Sequence, residues 1–405
     1  MSSVEDKLPQ GWVETTLGEV VSTNQDSINK NFKFEEIYYL DTGSITEGKI
    51  EGLQKYKLIE APSRARRLVQ NNDIVYSTVR PNQKHYGFIE NPKENLVVST
   101  GFAVISSNKK SFSKYIYYLL TQNSVTFFLH QLAEQSASAY PSIKPIDIEN
   151  LKINIPLNVE EQKAIAKVLT AFDDKIENLR AQNNTLEQTA QTIFKEWFGI
   201  YQIGDELPEG WRVGTIGDLT EIKRGGSPRP IKDYISDSGY RWLKISDATA
   251  TDSPYIFEIK EHIKIEGLKK TTLKKAGDLV LSNSATPGMP KFLAVDTCVH
   301  DGWMHFPSSI VSNEYLYLLF LHIRPTLVQQ GSGSVFVNLK TDILRYYETV
   351  IPSNKALTDF DRLIKPIFDK ILSNAKQIQT LTKTRDALLP KLMRGEIRVN
   401  GFKNN

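Results

Sequence analysis

Leu8-Pro9-Gln10-Gly11-Trp12 returns 199 positions later as Leu207-Pro208-Glu209-Gly210-Trp211. The likeness runs on past both openings, Thr16-Leu17-Gly18-Glu19-Val20 against Thr215-Ile216-Gly217-Asp218-Leu219. Three further matches keep the same order: Asn72–Ser77 with Gly277–Ser282 at an offset of 205, Tyr115–Leu119 with Tyr315–Leu319 at 200, and Ser136–Tyr140 with Ser332–Phe336 at 196. Ile155-Pro156 and Ile351-Pro352 close the two copies, again at 196. Matches that stay in register while their offset drifts by a few residues are what loop insertion does to a duplicated chain.

Each copy has two parts. The first, 1–156 and 202–352, mixes short β-like runs with Gly, Pro and Asn breakers and one apolar helix; the runs include Ile37–Leu40, Asp73–Val79, Leu96–Ile105, Asp278–Ser282 and Phe292–Val295. The second part, 157–201 and 353–405, is dominated by a helical signal over 159–198 and about 360–394. In the first helix Ile165, Leu169, Phe172, Ile176, Leu179, Leu186, Ala190, Ile193 and Trp197 follow steps of four and three, a heptad seam. Asn183 is its one polar member, and it either fixes the pairing register or faces solvent. In the second helix Ile364, Ile367, Ile371, Ile378, Leu381, Leu388 and Leu392 keep the same alternation, with Asn374 and Arg385 as polar members. Pro366 is there either the first helical residue or a kink, and Pro390 bends or ends the last turns.

A helix with one apolar seam needs a partner, and its own duplicate is at hand. The expected fold is therefore α+β: two pseudo-repeated α/β domains joined by two long antiparallel, coiled-coil-like helices, with a pseudo-two-fold axis. The alternative is a pair of surface helices, each packed on its own domain.

Composition narrows the class. At 405 residues, with 40% hydrophobic and 24% charged residues, the chain has material for two or three domains with ample core. Its start carries Glu5, Asp6 and Lys7 and does not read as a signal peptide. The most apolar stretch, Tyr315–Ile323, is nine residues long, far short of a membrane span, and predicts a buried helix. A lone cysteine, Cys298, excludes an internal disulfide and any zinc site built on cysteine pairs. A cytoplasmic protein without a membrane segment is expected. The net charge of +3 points only weakly to nucleic acid.

Two αβ domains that open with LPxGW, each followed by a long helix, resemble the specificity (S) subunit of Type I restriction-modification systems. Besides the openings, the likeness rests on the Ile155-Pro156 and Ile351-Pro352 ends, on Glu160-Glu161-Gln162-Lys163-Ala164-Ile165, and on Arg385-Asp386-Ala387-Leu388-Leu389-Pro390-Lys391-Leu392 followed by Gly395-Glu396-Ile397. The second copy departs from it where Ala356–Asp359 replaces the Glu-Glu-Gln helix start. The resemblance implies that 1–156 and 202–352 are target-recognition domains, each reading one half of a split, asymmetric double-stranded DNA target. It implies too that the helices dock two methyltransferase (M) subunits, that restriction (R) subunits join them, and that S-adenosylmethionine, ATP and magnesium belong to those partners. This chain would need no cofactor and no metal of its own, and would catalyse nothing.

The residues agree with that silence. There is no phosphate-binding loop with its lysine, and Gly331-Ser332-Gly333-Ser334 is a GxG without the strand and helix of a dinucleotide site. The six histidines include no i, i+4 pair suited to a metal. Asp252 with Glu258-Ile259-Lys260 mimics a magnesium nuclease site, but such triplets arise readily among 47 acids and 50 bases, and the first copy has no counterpart. His262-Ile263-Lys264 begins a phospholipase-D-like motif that fails at Lys269, where an aspartate is needed. A magnesium-dependent nuclease and a stand-alone DNA-binding regulator stand as the alternative functions.

Phosphates are held by Lys and Arg, and base edges are read by Arg, Lys, Asn, Gln, Ser and Thr. In the first copy the candidates are Arg64, Arg66 and Arg67, then Arg80, Asn82, Gln83 and Lys84 just after a strand. In the second they are Lys223, Arg224, Ser227 and Arg229, then Lys244, and Asn283, Ser284 and Thr286 after the equivalent strand. The two post-strand loops sit at matching positions and differ throughout, as two reading heads for unlike half-sites should. Each basic cluster also has the plainer reading of a solvated loop.

Overall fold

In the computed structural model, which describes residues 8–136, 140–330, 338–399 and 401, each LPxGW opening leads to a strand that pairs with the strand ending its own copy. Trp12–Thr16 runs antiparallel to Lys152–Pro156, with Trp12 opposite Pro156, and Arg212–Thr215 runs antiparallel to Glu348–Ile351, with Arg212 opposite Ile351. The turn before each strand needs its glycine: Gly11 and Gly210 have φ of +80° and +78°, which lets the Trp12 and Trp211 amides donate back to Pro9 and Pro208, both at 3.0 Å. The chain divides into two compact units, Met1–Lys175 with Leu381–Asn405, and Ile176–Thr380.

The first unit holds two four-stranded sheets. In one, Glu36–Leu40 and Leu96–Ser99 run parallel at the centre, flanked by Gln54–Lys57 and Ala65–Leu68. In the other the order is Val21–Thr23, Phe102–Ser107, Ile74–Ser77, Tyr86–Phe88. The run Leu96–Ile105, expected as one strand, is two strands in separate sheets. A turn at Thr100-Gly101 breaks it, and the ladder already slips between Val98 and Ser99.

The second unit repeats this topology with one strand added to each sheet. Tyr240–Leu243 and Thr297–Val299 are the parallel pair, flanked by Glu261–Ile263 and Thr272–Lys274, and Ile235–Ser236 is the addition. The other sheet reads Lys223–Arg224, Trp303–His305, Leu279–Ser282, Pro290–Leu293, with Tyr255–Ile256 added at the edge. The apolar stretch Tyr315–Ile323 lies in a helix as expected, Asn313–Gln330, with Tyr315 to Phe320 all buried. Of the repeated segments, Ser332–Phe336 and the 137–139 part of Ser136–Tyr140 lie outside the described residues, as does Gly331–Ser334.

The long helices span Val159–Phe194, followed by one wider turn at Lys195–Gly199, and Asn354–Met393. The second begins earlier than its apolar periodicity announces, because Ser353 caps it: the Ser353 hydroxyl accepts from the Ala356 amide at 3.3 Å. Pro366 is therefore an interior residue on an exposed face, where the carbonyl it leaves unpaired can be hydrated. In each unit the two helical segments run antiparallel. In the first, Ile165, Ala166 and Leu169 share a core with Leu392 and Met393, and Arg385 donates to Asp173 at 2.6 Å. In the second, Ala190 and Phe194 share a core with Phe360, Ile364, Phe368 and Ile371.

Both polar seam positions of the second helix thus find partners. Asn374, fully buried, donates to Asn183 at 2.9 Å, and Asn183 donates to the Ile371 carbonyl at 3.2 Å. That decides between the two readings of Asn183. It faces the partner helix, where a polar pair penalises any other register. Phe360 and Phe368, both fully buried, carry more of the second helix's seam than the half-buried Ile367.

The start of the first helix explains the Glu-Glu-Gln motif. Glu161 accepts from the Trp12 indole at 3.3 Å and pairs with Arg398 at 2.6 Å, while Gln162 caps the Pro156 carbonyl at 2.9 Å and accepts from the Phe112 amide at 2.9 Å. In the second copy buried Leu357 stands where Glu161 does, and Trp211 packs against the Phe198 and Tyr201 rings. An apolar contact replaces an ionic one, which accounts for the departure at Ala356–Asp359.

Candidate nucleic-acid interfaces

In both units the candidate loops gather around one turn, the link between a strand of each sheet. In the first unit this is Ser99-Thr100-Gly101. The Thr100 amide donates to the Arg64 carbonyl at 2.8 Å, and the Thr78 amide donates to the Gly101 carbonyl at 2.8 Å. The turn therefore joins the Arg64–Arg67 segment to the loop that carries Arg80–Lys84. In the second unit the equivalent turn is His300-Asp301-Gly302, where the Asn283 amide donates to the Gly302 carbonyl at 2.9 Å, as Thr78 does to Gly101.

The Arg80–Lys84 loop is a tight helical turn, Pro81–Gln83, bounded by Arg80 and Lys84 at φ of +48° and +55°. Two non-glycine residues held left-handed is a strained arrangement, and it leaves Asn82 and Gln83 exposed at the tip. Neither amide side chain has a hydrogen-bond partner among the described residues. Arg80 lies 5.0 Å from the Tyr140 ring centroid, and Lys84 pairs with Glu47 at 2.7 Å. Arg64 and Arg66 are exposed and, among the described residues, have no carboxylate partner. Arg67 is different. It is half-buried on the edge of its strand, its Nε lacks a partner among the described residues, and burial lowers its guanidinium from the ordinary value.

In the second unit the structure brings the two candidate loops together on Asp301. Its carbonyl accepts from Arg224 Nη2 at 2.6 Å, from Arg224 Nε at 3.1 Å and from Asn283 Nδ2 at 3.0 Å. Its carboxylate accepts from Ser227 Oγ at 2.5 Å and from Arg229 Nη2 at 3.1 Å. The Ser227 hydroxyl first, then the Arg229 guanidinium, holds the Asp301 carboxyl below the ordinary carboxylate value. Beside it burial lowers His300 from the ordinary imidazole value, with Asp301 acting the other way, and its Nδ1 accepts from the Gly302 amide at 2.8 Å.

The Lys223–Arg229 segment lies docked on this turn. A Cβ on Gly225 would come within 2.4 Å of the Val299 and His300 carbonyl oxygens, and one on Gly226 within 2.8 Å of the Lys270 carbonyl oxygen. Only glycine permits that approach. Asn283 is 3% exposed, so it organises the loop, while Ser284 and Thr286 are half-buried beyond it. Lys223 pairs with Glu221 at 2.8 Å, and Lys244 pairs with Glu261 across neighbouring strands.

The residues of the nuclease look-alike lie on the loop that follows Thr249 and around the short strand Tyr255–Ile256. Glu258 and Lys260 are exposed loop residues, and among the described residues no group of three or more His, Cys, Asp or Glu side chains is placed to hold a metal. No described helix is long and apolar enough to cross a membrane. Asp301 and Asp173 carry no mark in the sequence: phosphate and base contacts point to basic and amide side chains, and a lone aspartate in a turn or on a helix has no distinguishing pattern.

The family model for the Type I restriction modification DNA specificity domain matches residues 9–188 and 208–384. Among curated relatives, the Type I restriction enzyme HindI specificity subunit of Haemophilus influenzae is 25% identical over 95% of this chain and 99% of its own. The Type I restriction enzyme MjaIX specificity subunit of Methanocaldococcus jannaschii is 29% identical over 77% of this chain and 76% of its own. A solved Type-I restriction-modification system S subunit from M. genitalium shares the fold at a TM-score of 0.57 and 14% identity, covering 96% of this chain and 98% of that one.

Proposed function

This chain belongs to the Type I restriction modification DNA specificity family, and from that premise we propose that each of its two units reads one half of a split DNA target. It is a specificity subunit: it recognises DNA sequence, and catalysis belongs to partner subunits. Two methyltransferase (M) subunits dock on the long helices, restriction (R) subunits join them, and S-adenosylmethionine, ATP and magnesium are used by those partners. The complex works on double-stranded DNA in the cytoplasm.

One observation carries this reading. Each unit sets two loops on an equivalent turn, and the post-strand loops share a backbone frame there while their tips differ residue by residue, Arg80–Lys84 against Ser284–Thr286. In the first unit Arg64, Arg66 and Arg80 meet phosphates, and Asn82 and Gln83 meet base edges, where amides pair well with adenine. In the second, Arg224, Ser227, Arg229, Ser284 and Thr286 form the reading surface, with Lys223 and Lys244 at its margin.

The test exchanges residues 202–352 for the matching segment of a relative with a different target, in a chain coexpressed with its methyltransferase, followed by genome-wide methylation mapping. One half of the methylated motif changes and the other stays. A motif that changes in both halves, or in neither, sinks the reading.

A further inference from the structure

Asp301 is an acid at the centre of a surface meant for phosphates, where like charge repels. Its carboxylate is half-exposed, 45% by side-chain area, so burial does not force the pairing with Arg229. Yet four of the second unit's candidate groups converge on this one residue, two on its carbonyl and two on its carboxylate. Its place in the first unit is taken by Thr100, which is exposed and accepts from none of that unit's arginines among the described residues.

Resting on the DNA-reading function above, we propose that Asp301 is the positioning residue of the second unit's reading surface: its carboxylate presets Ser227 and Arg229 against the docked Lys223–Arg229 loop. An arginine held in one geometry loses less freedom when it meets a base edge than one that swings free. The carboxylate also cancels one positive charge, which lowers affinity for DNA of any sequence. Both effects raise the ratio of specific to non-specific binding.

Asp301→Ala and Asp301→Asn are made in the full chain, coexpressed with the methyltransferase. Both keep the main-chain carbonyl that holds Arg224 and Asn283, and the asparagine also keeps an acceptor for Ser227. Methylated motifs are mapped, and binding to the motif duplex and to a scrambled duplex is measured across salt concentrations, with melting temperature recorded. The expected result for Asp301→Ala has three parts. Discrimination in one half of the motif falls about 10-fold or more while the other half is unchanged; scrambled DNA binds more tightly; and the salt slope steepens by about 0.9 for the freed guanidinium. Asp301→Asn loses less discrimination but shows the same gain on scrambled DNA.

Unchanged discrimination in Asp301→Ala overturns the proposal. So does a loss shared by both halves, or a fall in specific and scrambled binding together with a lower melting temperature, which marks a purely structural role. If the wild-type complex methylates no bipartite motif, the function reading itself fails and takes this inference with it. A normal wild-type motif confines any failure to Asp301.

Discussion

The two units share a turn and a strand order but treat their arginines differently, although Lys84 of the first unit is paired with Glu47. Around Ser99-Thr100-Gly101, Arg64, Arg66 and Arg80 have no carboxylate partner among the described residues. Around His300-Asp301-Gly302, Lys223, Arg229 and Lys244 are each paired with an acid, and Arg224 is bound to a carbonyl. One topology thus carries a surface whose arginines have no carboxylate partner and a surface whose basic groups are mostly held by acids. Exposed ion pairs contribute only about 0–1 kcal/mol, so the pairing costs the second unit little affinity while fixing where its donors point. The same contrast recurs one strand away. Gly87, opposite Val75, leaves no room for a side chain, since a Cβ there would lie 2.2 Å from Ile45 Cδ1. Its equivalent opposite Val280 is Lys291, 7% exposed, whose ammonium donates to the Thr251 and Ser253 carbonyls at 2.9 and 2.5 Å.

The largest expected effect comes from undocking the second unit's surface. Gly225→Ala drives a methyl into the Val299 and His300 carbonyl oxygens, at the end of a buried strand and in the turn that follows it, and should reduce recognition of one half-site by 100-fold or more, about 3 kcal/mol. Competition binding with duplexes altered in one half at a time measures it. An unaffected variant would show that the docked loop reads nothing. Next is the first unit's surface: Asn82→Ala with Gln83→Ala should relax the other half-site by about 30-fold, roughly 2 kcal/mol, without lowering the melting temperature. Relaxation in the half affected by Gly225→Ala would merge what the comparison separates.

The buried cation makes a prediction about stability. Burial lowers the Lys291 ammonium from 10.5 to about 8, with Glu187 and Asp252 acting the other way. Between those values the unfolded chain holds the proton that the folded one has lost, so stability should rise with pH across the window, by up to about 3 kcal/mol. Lys291→Met should flatten the rise in a melting series from pH 8 to 10, and a slope that survives the substitution would assign it to another group. The smallest change is Thr100→Asp, which transplants the acid into the first unit's surface. It should weaken binding to scrambled DNA and reduce the salt slope by about 0.9, with little effect on which bases are read.

Much of this molecule was legible in advance, and the reasons are local. The duplication showed because Trp12 and Trp211 both need the glycine turn that precedes them, so the motif survives in both copies. The helices showed because a seam of Ile165, Leu169 and Phe172 repeats at a fixed period. Long-range pairing was what stayed hidden. Arg385 pairs with its neighbour Asp386 and also with Asp173, 212 residues away, and nothing in the sequence around either announces that second pairing. Phe360 and Phe368 were missed because Ile364 and Ile367 satisfied the heptad alone, while the Phe292 and Tyr317 rings that receive Phe368 lie elsewhere in the chain. Asp301 was hidden for the same reason: its role is set by Ser227 and Arg229, more than 70 positions upstream.

The clasp on Trp12 bears on biosynthesis. Its indole rests on Glu161, and Glu161 is gripped by Arg398, while Leu392 and Met393 fill the core beneath the same strand. The opening strand therefore leaves the ribosome nearly four hundred residues before its last partner does. At about 5–20 residues per second that is a wait of tens of seconds. The Ile176–Thr380 stretch is continuous and can close on itself meanwhile. The opening strand is made early and completed late, and the first unit's sheets stand with part of their apolar floor uncovered until Leu392, Met393 and Arg398 have been made.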